Sequence, residues 1–212
     1  MKEENKNGQL PEKEQLLSSL RNAEEMYVFM SLCTKMPYVL CDEETFDDEV
    51  LLYYTEEDAQ REGKKLIEQR IPIQIAKIEK KQLLGFFSSL YPMGVNGLLI
   101  NKTMESEARL QLGELVIRPN TGDLPDGKVW VENPQLHLTA LYFMQEMRRQ
   151  EKPELTEELK GLQEEILVNY GRGRFIVAVH KENGMPMLKQ KNGDAYQPIF
   201  TDILEFRKFN KE

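Results

Sequence analysis

The sequence is poor in the residues that most often carry chemistry: 2 cysteines, 2 histidines and 1 tryptophan among 212 residues. Cys33 and Cys41 form neither a CxxC pair nor a disulfide framework, which points to a reducing cytoplasm. A reactive thiol needs a cation or a helix N-terminus to lower its pKa. The charge around these two is acidic, so both read as buried structural thiols. His137 lies between apolar helical positions and His180 ends a strand. Neither has a cysteine or a motif-spaced carboxylate beside it in sequence, so no zinc site is expected. No apolar run approaches the ~18 residues that cross a bilayer, and the opening "MKEENKNGQLPEKE" has no apolar core of a signal peptide. Positive charge is also lacking: the net charge is −8, against the basic surface that phosphate binding requires. No membrane or nucleic-acid partner is therefore expected.

Phosphate and metal motifs are absent as well. "GVNG" (94–97) and "GRGR" (171–174) have neither P-loop nor Rossmann context, and "GRGR" reads as a helix end with two surface arginines, Arg172 and Arg174. "DEETFDDE" lacks the spacing and the turn glycine of an EF-hand. No cofactor, metal or catalytic residue is expected.

What remains is a pattern of elements. The chain is 40% apolar and 30% charged, as globular proteins are. Pro11 opens an amphipathic helix with Leu16, Leu20 and Ala23 inward. Strands are predicted at 26–33, 36–41 and 50–55. Thr55 then caps a helix carrying Ala59, Leu66 and Ile67 inward, because Thr55-x-x-Asp58 resembles a capping box. A strand at 71–78 precedes a helix with Leu83, Leu84, Phe87, Leu90 and Tyr91 on one stripe. Pro92 and Gly94 end it, and 97–101 is a strand. "LGELVI" and "KVWVE" read as a hairpin around "RPNTGDLPDG". Asn133-Pro134 caps a helix with Leu136, Ala140, Phe143, Met144 and Met147 inward. A helix with Leu155, Leu159, Leu162 and Ile166 follows, then "RFIVAVH", "MPMLKQ" and "YQPIFT" as strands, and a last helix capped by Thr201 or Asp202.

Charge is unevenly spread. From Asp42 to Glu62 there are ten acids and one base, whereas Arg172 to the end holds eight Lys or Arg and five acids. The residues 42–49 read as an exposed, metal-free acidic loop. Asp42, Glu43, Glu44, Asp47, Asp48, Trp130, Arg172 and Arg174 are the candidate interaction surface. Trp130 suits an interface hot spot, and equally suits packing one unit on another.

The two ends of the chain match. Helix, "MYVFM", Met36-Pro37, "LLYYT" and an acidic helix start recur as helix, "RFIVA", Met185-Pro186, "QPIFT" and another acidic helix start. Their recurrence in order suggests duplication, and pairing Tyr54 with Phe200 puts the length difference in the acidic loop. "YQPIFTDILEF" resembles the Pro-x-Phe-Thr signature of SseB-type (enhanced serine sensitivity) N-terminal domains, and "MGVNGLLIN" is similar to the ending of the same domain, with Lys102 where the family has proline. The resemblance covers Glu24–Asn101 in full and Gly161–Phe209 in part. It implies a bacterial α/β domain with a small mixed sheet flanked by helices, and it supplies no catalytic residues.

The expectation is thus an α/β (α+β) protein with two related small mixed sheets, the second incomplete. Its parts are a tail and leading helix (1–23), a first unit (24–117), a hairpin and connecting helix (118–153) and a partial second unit (154–212). A truncated or naturally shortened second unit is favoured over one that completes itself on the first. The expected function is a non-catalytic cytoplasmic module that binds an unidentified protein. Self-association through an open sheet edge of the second unit is a further expectation, with the acidic loop of a neighbouring copy as one partner. The alternative is a regulatory protein with a small-ligand pocket between the units.

Overall fold

The computed structural model describes residues 9–118, 124–150, 154–182 and 184–210. Its N-terminal part runs α1 (Gln9–Asn22), β1 (Glu25–Ser31), β2 (Val39–Cys41), β3 (Asp48–Tyr53), α2 (Glu56–Glu68), β4 (Ile73–Glu79), α3 (Lys80–Met93), β5 (Gly97–Ile100), β6 (Ala108–Gln111) and the single turn α4 (Leu112–Leu115). The six strands form one mixed sheet in the order β4-β1-β3-β5-β6, with β2 also paired to β3. Only β3 and β5 run parallel.

Because strand side chains alternate between faces, the continuous apolar runs supply two cores. Met26, Val28, Val50, Leu52, Leu98 and Ile100 meet Leu20 of α1, Leu83, Phe87 and Leu90 of α3 and Leu112 of α4. Tyr27, Phe29, Leu51, Tyr53 and Leu99 meet Ala59 of α2, with Ile71 and Ile73 closing the side. Thr55 caps α2 as expected, its hydroxyl accepting from Asp58 N at 3.2 Å. Asn101 ends β5 at φ 50°, a left-handed conformation that asparagine tolerates. Its amide donates to Ser106 Oγ and accepts from Tyr54 N, tying the end of β5 to the end of β3.

α5 (Pro134–Arg149) carries Leu138 and Leu141 onto the first core and presents its other side to α6 (Glu157–Arg172). Then come β7 (Ile176–Val177), β8 (Leu188–Lys189), β9 (Ala195–Tyr196), β10 (Ile199–Phe200) and α7 (Ile203–Phe209). β7 pairs with β10 and β8 with β9, both antiparallel. Asp202 caps α7, accepting from Leu204 N at 2.8 Å and Glu205 N at 3.0 Å.

The pairings of the C-terminal segment follow those of the sheet. Tyr27↔Tyr53 and Val28↔Leu52 correspond to Ile176↔Phe200 and Val177↔Ile199, and Leu40↔Glu49 to Leu188↔Tyr196. β9 and β10 together stand where β3 stands, interrupted at Gln197-Pro198, since proline donates nothing to a ladder. The turns agree too. Lys35 N donates to Ser31 O as Gly184 N donates to His180 O. Asp42 N donates to Asp47 O as Gln190 N donates to Asp194 O. Left-handed residues recur at the matching sites, Lys35 with Gly184 and Phe46 with Gly193.

Several expectations are corrected. Tyr53, not Tyr54, matches Phe200, which aligns the two caps Thr55 and Asp202 and spreads the length difference over the loop and the stretch after Pro37. The second sheet is two short antiparallel ladders, not a mixed sheet. The hairpin does not form. "LGELVI" begins as α4 because Gln111 and Glu114 build a capping box, residues 128–132 are not a strand, and 119–123 lie outside the described residues. The strand that does pair with β5 is β6, whose ARLQ lacks an apolar run. Ile67 and Leu84 are exposed, being just off the buried stripes of their helices. Pro92 lies inside α3, and Gly94 alone ends it. In α5 the deeply buried residues are Leu136, Leu138, Thr139 and Leu141, because the helix is sandwiched between the first core and α6.

Gly94 has φ 88°, and an added Cβ would lie 2.7 Å from Pro134 O and 2.9 Å from Leu138 Cβ. Gly94→Ala is expected to destabilise the protein by more than about 1 kcal/mol, from backbone strain and a clash with α5. Urea unfolding followed by circular dichroism measures it.

Candidate functional site

The acidic loop is a hydrogen-bonded structure, not the exposed segment expected. Asp42 Oδ1 accepts from Glu44 N at 3.0 Å and Thr45 N at 2.8 Å, and Oδ2 from Arg109 at 2.9 Å. Asp47 accepts from the side-chain amides of Asn96 and Gln111, each at 2.7 Å. Tyr142 OH donates to Asp48 Oδ1 at 2.6 Å. Burial pushes the Asp48 carboxyl up, and burial with the Asp48 contact pushes the Tyr142 phenol far up. Glu49 is 1% exposed, with Oε1 3.2 Å from Arg109 Nε and no partner for Oε2. Burial raises its pKa, against the pull of Arg109. Among the loop acids, only Glu43 and Glu44 stand out in solvent. The loop's charge is thus taken up by Asn96 just before β5, by β6 and by α5, which sequence spacing does not reveal.

Both cysteines are free; Cys33 is half-buried, and Cys41 is exposed where a buried thiol was expected. Partial desolvation of its sulfur and the surrounding carboxylates raise the Cys41 pKa, as its acidic neighbours imply.

A second cluster joins α5 to the C-terminal segment. The Asn133 amide, expected to cap α5, donates instead to Arg174 O at 2.6 Å and Thr201 O at 2.8 Å and accepts from Arg174 N at 3.2 Å. One turn on, His137 Nδ1 lies 3.6 Å from Asp202 Oδ2. His137, Asp202 and Glu205 place ligand atoms within 4.8 Å of one another. Asp202 is already engaged by two backbone N–H groups and by Thr201 Oγ1 at 2.8 Å, and Glu205 by Lys208 at 2.5 Å. The cluster acts as a clamp holding α7 on α5. Sequence reading missed it because its carboxylates lie far along the chain from His137.

The third feature is the exposed apolar surface of the C-terminal segment, with Val177 39%, Val179 66% and Met187 50% exposed. Two clefts flank β7. One, about 680 Å³, lies between α3 and α7 and is lined by Ile176, Ile203, Arg207, Lys128 and Trp130. The other, about 620 Å³, is lined by Ala178, Val179, Phe206 and Phe209. Of the remaining surface candidates, Arg172 and Arg174 are exposed, the first at the end of α6 and the second just before β7. The structure therefore brings Trp130 and Arg174 to the surroundings of β7 and keeps Asp42, Asp47 and Asp48 in their own network. No helix among the described residues is long and apolar enough to cross a membrane.

No family model matches this chain, and neither a curated protein nor a solved structure does.

Burial pushes the Asp202 carboxyl up, but His137, the Glu205 N–H and Thr201 outweigh it and hold its pKa below the usual value. A depressed carboxyl pKa adds stability that is fully present above the unfolded value of ~3.9 and is lost as pH falls through the folded value. The α7 clamp is expected to hold from pH 7 to 5 and to loosen below ~4. Tyr170 and Phe175 ring signals followed by NMR across this range check it, and Asp202→Asn should flatten the acid-induced change.

Proposed function

We propose that this chain is a non-catalytic, cytoplasmic, bacterial protein-binding module of the SseB-like type, in an adaptor or regulatory role. Its C-terminal segment, from α6 to α7, is a second copy of the part from α1 to α2. The single observation that carries this reading is the unequal covering of matching strands. β1 is paired on both edges, by β3 and by β4. β7, its counterpart, has one partner among the described residues, β10, and exposes Val177 and Val179 nearby. An uncovered edge beside apolar side chains is a template for strand addition by another polypeptide. The His137–Asp202–Glu205 cluster is a structural clamp in this reading, and neither nucleic acid nor membrane is a partner.

A small-ligand reading is favoured by one feature, the cleft holding Trp130, whose volume suits a drug-sized molecule.

A photo-crosslinking residue placed at position 177, with position 84 as the exposed control, separates the two readings. The protein-binding reading expects discrete polypeptide adducts from 177 and none from 84. Absence of adducts from 177, together with a small molecule that co-purifies and quenches Trp130 fluorescence, would contradict it.

A further inference from the structure

The correspondence between β1 and β7 fixes what a strand on the open edge would meet. Successive strand residues turn their N–H and C=O groups to opposite edges. Asn133 binds both backbone groups of Arg174 on the side where it also binds Thr201 O, so that side faces β10. Ile176 faces the same way, which leaves Phe175, Val177 and Val179 turned to the other edge. In β1 their counterparts Met26, Val28 and Met30 face β4, in the register Met26↔Ile78, Val28↔Ala76 and Met30↔Gln74.

β4 therefore serves as a template. On its inward face, Ile73 and Ile75 close the core around Phe29 and stand close to Gly63 of α2. The matching side chains around β7 are Ala178 and Phe206, and the space beside them is the 620 Å³ cleft. Two residues further along β4, Lys77 pairs with Glu25. The counterpart of Glu25 is Arg174, so the charge at this point of the lane is reversed. Arg174, Arg207 and Lys128 have no ion-pair partner among the described residues, and the last two line the cleft at that end of β7.

We infer that the outer edge of β7 takes an extended segment of another polypeptide, antiparallel, with two apolar residues at alternate positions and a carboxylate two residues further on. This rests on the protein-binding reading above and names the partner's chemistry. The apolar pair fills the cleft beside Ala178, and the carboxylate meets Arg174. In an antiparallel β7-to-β7 pair centred on Val177, Arg174 would stand opposite His180 of the other copy, which supplies no carboxylate. The acidic loop of a neighbouring copy, expected from sequence to dock here, is committed to Arg109, Asn96 and Gln111.

The test uses a labelled peptide with the sequence of residues 71–79 and its Lys77→Glu form, titrated onto the full chain and onto Arg174→Glu. The Lys77→Glu peptide is expected to bind the unaltered chain roughly threefold or more tightly than the lysine form, and Arg174→Glu to reverse the order. Both peptides are expected to protect the amides of Phe175, Val177 and Val179 from exchange. Protection without any charge preference would leave strand binding standing and overturn the acidic partner. No protection of these amides by either peptide would overturn the edge as the docking site. A dimer in sedimentation that the peptides disperse would make the occupant a second copy and overturn the inference.

Discussion

The placement of the C-terminal segment depends on one buried amide. Asn133, 9% exposed, spends its whole side chain on the backbone of Arg174 and Thr201. It extends the ladder of β7 and β10 by one rung and fixes that ladder to the first turn of α5. Buried amides are costly to leave unpaired, so removing this side chain strands three backbone groups at once. The His137–Asp202 contact and the Thr139–Glu165 hydrogen bond of 3.0 Å secure the neighbouring turns of α5 to α7 and α6. α5 is thus the bracket: one side belongs to the first core, the other holds the C-terminal segment.

That arrangement explains why so much apolar surface is exposed. The six-stranded sheet has helices on both faces, and its central strands are buried. The C-terminal strands have α6 and α7 against them, with Tyr170 stacked near Phe175 and Phe206 near Phe200. Among the described residues they have no counterpart of β4, α3 or β5. The substitutions between matching positions show local compensation: Phe29 and Ala59 of the larger unit become Ala178 and Phe206, keeping one aromatic ring and one methyl group at the strand–helix contact. The lane beside β7 is not compensated in this way.

Much of this fold was legible in the sequence. Both helix caps, the apolar strands β1 to β5 and the repeat follow from local chemistry: a Thr or Asp at a helix start, a 3.6-residue stripe, a recurrent Met-Pro. The one-residue slip in matching Tyr54 to Phe200 arose because an aromatic-Thr pair is a weaker marker than a cap. β6 was missed because its ARLQ carries one apolar inward residue, Leu110, and is recruited by β5. The acidic loop looked solvated because its partners, Arg109, Asn96, Gln111 and Tyr142, come from distant elements. Asn133 looked like a cap because asparagine before proline so often is one; its tertiary partners won. Of the surface candidates, Arg174 and Trp130 fall beside β7, while nothing in the spacing could have linked them.

The central claim is that, among the described residues, β7 has an open edge where β1 has none, and native-state hydrogen exchange on the free protein tests it most directly. The amides of Met26, Val28 and Met30 are expected to exchange slowly, through large-scale unfolding, and Ile176 more slowly than its neighbours. Phe175, Val177 and Val179 are expected to exchange orders of magnitude faster than their β1 counterparts. Equal protection of the two sets would mean that the β7 edge is already paired, and would contradict the account.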